Sequence, residues 1–190
     1  MKTIPCNLFM AAAGAVLLAS CGPQLESTTV LMSTGPVSKT DGSIAGSIQS
    51  EVNAYRATKG KPALERHAGL DRMAQQHSEF MRRNRGKFGG ASGNLTHYGF
   101  EERALNAQRT MNMSNVAENV ASCSGHYGSA ADTLFNAWKG SSSHEQNIRG
   151  QFNATGIGVV VDEDGTVFAT QLFGSVSHSQ MAMTDRMRQF

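Results

Sequence analysis

The fold of this chain is decided by residues 155–174, TGIGVVVDEDGTVFATQLFG. Two runs of β-branched and aromatic residues, 156–161 and 166–173, are separated by four residues that end in Asp164-Gly165. An Asp-Gly turn between two such runs is typical of a β-hairpin. The sequence therefore predicts that an antiparallel hairpin closes the folded part of the chain.

Helical periodicity lies upstream of the hairpin. Four apolar residues recur at spacings of four, four and three: Ile44, Ile48, Val52 and Tyr55. This stripe predicts a helix that the Gly-Lys-Pro at 60–62 ends, with Asn53 and Arg56 on its other faces. A second helix begins near Ala68 and has His77 on its apolar stripe, where we expect the ring to pack between helices.

Two more helices are predicted before the hairpin. Ser129 and Ser142 each precede an acidic residue by three positions, a pattern typical of helix starts. Trp138 falls on the apolar face of the first of these helices and is expected in the core. Leading helices and a closing hairpin together predict a mixed α/β domain, in which helices cover both sides of a sheet.

The first twenty residues predict export. Lys2 provides a positive start, and residues 8–18 form an apolar run that is too short to cross a bilayer as a helix. The run ends in Leu-Ala-Ser-Cys at 18–21, which resembles the lipobox of bacterial lipoproteins. That resemblance implies cleavage before Cys21 and acylation of this cysteine. We therefore expect a lipid-anchored protein of the cell envelope, facing the periplasm or the cell surface. Gly22, in place of the aspartate that retains enteric lipoproteins in the inner membrane, favours an outer membrane.

The chain is predicted to have four parts: a signal peptide over 1–20, a flexible tether over 21–42, a folded domain over 43–175 and a C-terminal tail over 176–190. Of its three cysteines, Cys6 is removed with the signal peptide and Cys21 carries lipid, so the mature domain has only Cys123. No intramolecular disulfide is then available to it. We expect Cys123 to be a small buried hydrophobe rather than a nucleophile.

The charge of the chain gives no basis for a nucleic-acid partner. The formal net charge is +2, and loss of Lys2 with the signal peptide leaves about +1 in the mature chain. Binding to a phosphate backbone requires a concentrated basic surface. The one basic cluster, at residues 82–87, is interpreted as a solvated and flexible stretch.

Several segments of the chain occur in an order that is typical of one family. They are Val52-Asn53-Ala54-Tyr55-Arg56, Leu70 with Ala74 and His77, Thr96-His97, Ala117-Glu118-Asn119-Val120-Ala121, Trp138-x-x-Ser141-x-x-His144 with Asn147-Ile148, and the two closing strands. Over about residues 44–175 they resemble the CAP superfamily of cysteine-rich secretory proteins, antigen 5 and plant pathogenesis-related proteins, and in particular its compact bacterial branch. The resemblance implies a three-layer α-β-α sandwich with a surface cleft that holds two histidines and a glutamate.

The residues of the implied cleft are His97, Glu118 and His144. Two imidazoles and one carboxylate form an open ligand set suited to Zn²⁺ or another divalent ion such as Mg²⁺. Spacings of 21 and 26 residues are not those of a local metal motif, so only the resemblance implies that these residues meet. Ser141 stands where animal and plant members have a second pocket glutamate. We expect it to support the cleft by hydrogen bonding, while Ser142 caps the following helix.

The leading hypothesis is a lipid-anchored binding module whose cleft takes a small or lipidic ligand, with or without a divalent metal. A metal-dependent hydrolase acting on peptides or envelope polymers is the alternative. A third hypothesis is a host-facing interaction protein that does not use the cleft. Paired-carboxylate chemistry lacks a second acid, and a serine beside His144 in a helix-capping turn is poorly placed as a nucleophile. The oligomeric state stays open.

Overall fold

The computed structural model describes residues 41–88, 95–124 and 129–177 of the 190-residue chain. The predicted signal peptide, the predicted lipidation site Cys21, almost the whole predicted tether and the tail from residue 178 lie outside the described residues. So do residues 89–94, in the glycine-rich segment after the second helix. A search of the described helices finds none that is both long and apolar enough to cross a membrane.

The described chain forms helices and one sheet. Its elements are α1 (Gly42–Thr58), β1 (Glu65–Arg66), α2 (Ala68–Arg83), α3 (Phe100–Met111), β2 (Ser114–Ser124), α4 (Ala130–Gly140), α5 (Ser142–Ile148), β3 (Ala154–Val161) and β4 (Thr166–Ser175). The sheet order is β1-β3-β4-β2, with β1 parallel to β3 and the other two pairs antiparallel. The predicted hairpin is confirmed as β3 and β4, and its turn ends at Gly165, whose φ of 78° suits glycine.

The sheet separates two helical layers, because side chains alternate along each strand. Phe168 and Leu172 of β4 pack on the side of α2 and α3, whereas Val167 and Phe173 pack on the side of α1, α4 and α5. Trp138 is fully buried in the second of these layers, as expected. The predicted three-layer α-β-α sandwich is therefore confirmed.

Helix α2 lies directly against strand β3, because glycine occupies the contact. A Cβ atom at Gly158 would collide with the backbone of Gln75. β1 is only two residues long, and beyond it side chains of α2 accept hydrogen bonds from backbone N–H groups of β3. Asp71 accepts from the N–H of Ile157, and Gln75 accepts from that of Val159. The helix thus closes the edge that β1 leaves open.

Strand β2 is not predicted by apolar periodicity. It lies at the edge of the sheet, where it pairs with β4, and it begins with a bulge between Ser114 and Ala117. Asn115 lies in this bulge with a φ of 51°, a left-handed conformation that asparagine tolerates. Because side chains alternate along a strand, the bulge sets which residues of β2 face which helical layer.

The sequence predicts Arg56 on an outer face of α1, and this prediction is wrong. Arg56 is fully buried. It follows Val52 by four residues and so shares the buried stripe of the helix. Its guanidinium donates to four backbone oxygens, those of Pro62, Ile148, Gly150 and Phe152. The arginine therefore ties the end of α1 to the connection between α5 and β3.

The basic cluster at the end of α2 is ion-paired. Arg82 and Arg83 contact the carboxylate of Glu79 at 2.6 and 2.9 Å. Arg85 reaches the carboxylate of Asp164, in the β3–β4 turn, at 2.6 Å. Arg83 and Arg85 are exposed to solvent, as expected, but all three arginines are paired with acidic side chains on α2 or in the hairpin turn.

Replacing Arg56 with Met is expected to destabilise the domain by about 3 kcal/mol or more, because four backbone carbonyl oxygens lose the hydrogen bonds of one buried guanidinium at once. Urea unfolding at pH 7 measures the difference. Arg72→Met is the matched control, since Arg72 is an exposed arginine of α2 and its loss should cost no more than about 0.5 kcal/mol. Equal effects of the two substitutions would contradict the structural role of Arg56.

His77 is buried on α2, as its position on the apolar stripe predicts. Its Nε2 lies 2.8 Å from the carbonyl oxygen of Thr96, so the neutral ring donates through Nε2. Burial is the largest influence on the ring and lowers the pKa of His77 to about 4, although the nearby carboxylate of Glu118 acts to raise it. The ring is therefore uncharged at neutral pH, and its 3.8 Å approach to Glu118 is not an ion pair.

This buried ring makes the stability of the domain depend on pH. The unfolded chain takes up the proton near pH 6.5, whereas folded His77 takes it up only near pH 4, so the free energy of unfolding falls as the pH drops through this window. The expected loss from this group is about 3 kcal/mol. His77→Gln keeps a donor but does not titrate, so urea unfolding should show a smaller loss between pH 7 and pH 4. An identical pH dependence in both proteins would contradict a neutral His77.

Candidate functional site

The candidate site lies at the edge strand β2, where two consecutive residues face opposite helical layers. Glu118 faces α2 and α3, and Asn119 faces α5. Both residues are almost completely buried, at 5% and 0% exposure. One strand thereby holds polar groups on both sides of the sheet at the same point along its edge.

Glu118 is the centre of a charged cluster. Arg103 of α3 holds its carboxylate by two contacts, in which Nε donates to Oε2 and Nη2 donates to Oε1, both at 2.8 Å. His97 Nδ1 lies 2.9 Å from Oε1. Because an ionised carboxylate only accepts hydrogen bonds, His97 donates through Nδ1. The buried charge of Glu118 is thus compensated by a guanidinium and satisfied by three donors.

The backbone that carries His97 is held on both sides of that residue. His77 donates to the preceding carbonyl, and Arg103 Nη1 donates to the following one at 2.9 Å. Gly99 precedes α3 with a φ of 75°, and a Cβ atom there would lie 3.3 Å from Arg103 Nη1. Glycine therefore provides both the left-handed turn and the room for the guanidinium.

On the other face of β2, a pair of asparagines positions α5. Asn119 Nδ2 donates to the carbonyl oxygen of His144 at 3.1 Å. Asn147 Nδ2 donates to Asn119 Oδ1 at 2.9 Å and approaches the carbonyl oxygen of Glu118 at 3.3 Å. The helix that carries His144 is therefore attached to the strand beside Glu118, which brings both histidines to one edge.

The two imidazoles lie side by side at this edge. The ring centroids of His97 and His144 are 6.2 Å apart, and the ring planes are inclined by 49°. The side chain of His97 is 49% exposed, although its Nδ1 contacts the buried carboxylate of Glu118. Burial, and then the neighbouring His97, lower the pKa of His144, which keeps that ring neutral at physiological pH.

The three residues that the sequence suggested for the cleft are close together, but they are not arranged as a metal centre. His97 contacts Glu118, and His144 lies beside His97. Glu118 offers little to a cation, because its side chain is 1% exposed and Arg103 already binds the carboxylate. Within the described ranges, no three His, Cys, Asp or Glu side chains are grouped so as to hold a metal ion. The residues therefore do not fit a His-His-Glu metal site.

The serines before His144 form the start of α5, and Cys123 packs against the core. Ser141 occupies the N-cap of α5 and Ser142 is the first residue of the helix, so the expected cap at Ser142 is wrong by one residue. Ser141 Oγ lies 3.3 Å from Ser143 Oγ, a contact within the turn. Cys123 is half-buried against the core, and burial raises the pKa of its thiol, which opposes nucleophilic reactivity.

Arg103 is the member of this cluster that sequence reasoning missed. The segment around it is polar and begins with two glutamates, so it resembles a solvated helix. The signal lies in the spacing of the inner face of α3, which consists of Phe100, Arg103, Ala107 and Met111. An arginine on an otherwise apolar stripe predicts a buried partner, because guanidinium groups are rarely buried unpaired.

Three bacterial structures share this fold. An outer surface protein of Borrelia burgdorferi superposes with a TM-score of 0.58 at 18% identity, over 72% of this chain and 95% of that one. A cysteine-rich secretory protein of Staphylococcus aureus gives 0.53 at 17% identity, over 74% and 40%. An extracellular protein of Bacillus anthracis that contains an SCP domain gives 0.51 at 25% identity, over 70% and 40%. This chain thus spans 40% of the length of the last two proteins.

A family model agrees with these superpositions. The model described as the cysteine-rich secretory protein family, CAP, matches residues 49–173, which is more than half of the chain. A search of curated protein sequences gives no significant match. The chain belongs to the cysteine-rich secretory protein (CAP) family.

Proposed function

We propose that this protein is a binding module of the cell envelope, whose site takes a small or lipidic ligand at the histidine pair on the β2 edge. One observation carries the proposal: the ring of His97 is held by a buried carboxylate on one side and is open to solvent on the other. A ring that is already fixed loses little freedom when a ligand binds, which favours affinity. His144, a neutral ring 6.2 Å away, adds a second polar contact.

The alternative, a metal-dependent hydrolase, has less support from the same geometry. It requires a metal held by both histidines and Glu118, but that carboxylate is bound by Arg103. Hydrolysis by paired carboxylates requires a second acid, and Ser141 occupies the position where the family resemblance places one. The two imidazoles still remain as potential metal ligands, so the binding measurement has to include metal ions.

We propose in addition that lipid on Cys21 anchors the chain in the envelope. The support is the positive start, the short apolar run and the Leu-Ala-Ser-Cys sequence at 18–21. Among proteins of the same fold, the Borrelia protein is described as an outer surface protein and the Bacillus protein as extracellular. An anchored domain at the envelope surface agrees with both descriptions.

Cys21→Ser is expected to abolish lipid attachment. In bacteria supplied with alkyne-tagged palmitate, the wild-type chain should carry the label and lose residues 1–20, because the modified cysteine becomes the new N-terminus. The variant should keep the signal peptide and carry no label, and Cys123→Ser should behave as wild type. Gel fluorescence and the intact mass measure both properties. Label that persists in Cys21→Ser would contradict anchoring at this residue.

Native mass spectrometry of the full chain, purified from a bacterial envelope in mild detergent, tests the binding proposal. The wild-type protein is expected to carry the added mass of a lipid, a small molecule or a metal ion. His97→Ala should lower the affinity about tenfold, since one lost contact of about 1.4 kcal/mol has that effect, and the bound fraction should fall by up to the same factor.

His67→Asn is the matched control for this measurement, because His67 caps α2 and asparagine preserves such a cap. It should retain the added mass. A wild-type chain without added mass, or equal occupancy in His97→Ala, would contradict a ligand site at the histidine pair.

A further inference from the structure

We propose that Arg103 is the positioning residue of the histidine pair: it holds the Glu118 carboxylate so that His97 keeps its proton on Nδ1 and turns the Nε2 lone pair to solvent. Arg103 acts through Glu118 and does not itself need to touch a ligand. The meaning of this arrangement for binding rests on the proposed function, whereas the state of the ring is a property of the protein alone.

The first support is that Arg103 contacts both structures that determine where His97 lies. Its Nε and Nη2 bind the two oxygens of Glu118, which accepts from the ring. Its Nη1 binds the carbonyl oxygen of Tyr98, the residue after His97. One guanidinium therefore joins the backbone of the histidine to the acceptor of its side chain. The pair is shielded from water, with side-chain exposures of 8% for Arg103 and 1% for Glu118.

The second support is that the arrangement requires the shape of a guanidinium. A planar fork can meet both carboxylate oxygens and still direct a third nitrogen to a carbonyl, whereas an ammonium group is a single point of charge. The glycine at position 99 leaves room for this group, since a Cβ atom there would lie 3.3 Å from Arg103 Nη1. A lysine at position 103 would keep the charge but would not hold the carboxylate in one plane.

The third support is that the other buried neighbour of Glu118 is already engaged. His77 Nε2 approaches the carboxylate to 3.8 Å, but its proton is donated to the carbonyl oxygen of Thr96. Without Arg103, the carboxylate of Glu118 would lose two of its three donors and would be free to rotate. His97 would then lose its fixed acceptor, and the neutral ring could place its proton on Nε2 instead.

The consequence concerns what His97 offers to a ligand. With the proton on Nδ1, the exposed nitrogen is an acceptor. It suits a hydroxyl, amide or ammonium group that donates a hydrogen bond. Loss of the Arg103 contact would replace that acceptor with a donor in part of the population.

The test is nitrogen NMR of the His97 ring in the ¹⁵N-labelled full chain, in detergent micelles at pH 8, where an ordinary imidazole is neutral. His97→Gln identifies the ring signals by their disappearance. In the wild-type chain we expect a single form, protonated on Nδ1, whose proton exchanges slowly with water. In Arg103→Met the exchange should be at least about tenfold faster, and the form protonated on Nε2 should appear.

Arg109→Met is the matched control, because Arg109 is an exposed arginine of the same helix. In this variant the ring signals of His97 should match those of the wild-type chain. If Arg103→Met does not fold, Arg103→Lys keeps the buried positive charge and provides the same readout. A folded variant in which the His97 ring keeps the wild-type form and exchange rate would overturn the proposal. Because the measurement needs no ligand, its failure is distinguishable from the absence of bound mass in native mass spectrometry.

Discussion

The site depends on one property of the edge strand β2, which is that neighbouring side chains point to opposite faces. Glu118 enters the layer of α2 and α3 and binds the ring of His97, whereas Asn119 enters the other layer and holds the helix of His144. Because β2 is at the edge of the sheet, the two layers meet beside it and the rings can approach each other. The bulge at Asn115 sets this arrangement, since a shift of one residue would exchange the faces of Glu118 and Asn119.

The two buried arginines have different roles, because Arg56 binds backbone oxygens and Arg103 binds a carboxylate. Arg56 donates to four backbone oxygens and closes the junction of α1, α5 and β3, so its role is structural. Arg103 faces a carboxylate, and a buried ion pair is a weak source of stability, because desolvation offsets much of the attraction. What the pair provides is geometry: a fixed acceptor for His97 at a point where the ring is half exposed.

Much of the fold can be predicted from the sequence, because its signals are local. The hairpin follows from two β-branched runs around Asp164-Gly165, and α1 and α2 follow from apolar stripes. Strand β2 could not be predicted in this way, since its inner residues include Glu118 and Asn119, which look like surface residues until their partners are known. Arg56 could have been placed correctly, because it follows Val52 by one helical turn. The ion pair of Arg85 could not be predicted, since its partner Asp164 lies 79 residues further along the chain.

The sequence by itself determined the α/β class, the family, and the order of the main helices and the closing hairpin, and it is the source of the prediction that Cys21 is lipidated. Motif order also selected His97, Glu118 and His144 as residues to consider together. Only the tertiary structure decided what Glu118 does, because its oxygens accept hydrogen bonds from groups 15 and 21 residues away, on α3 and on the segment before it. Which donors reach a buried carboxylate depends on how these parts of the chain pack, and the spacing of residues along the chain does not predict it.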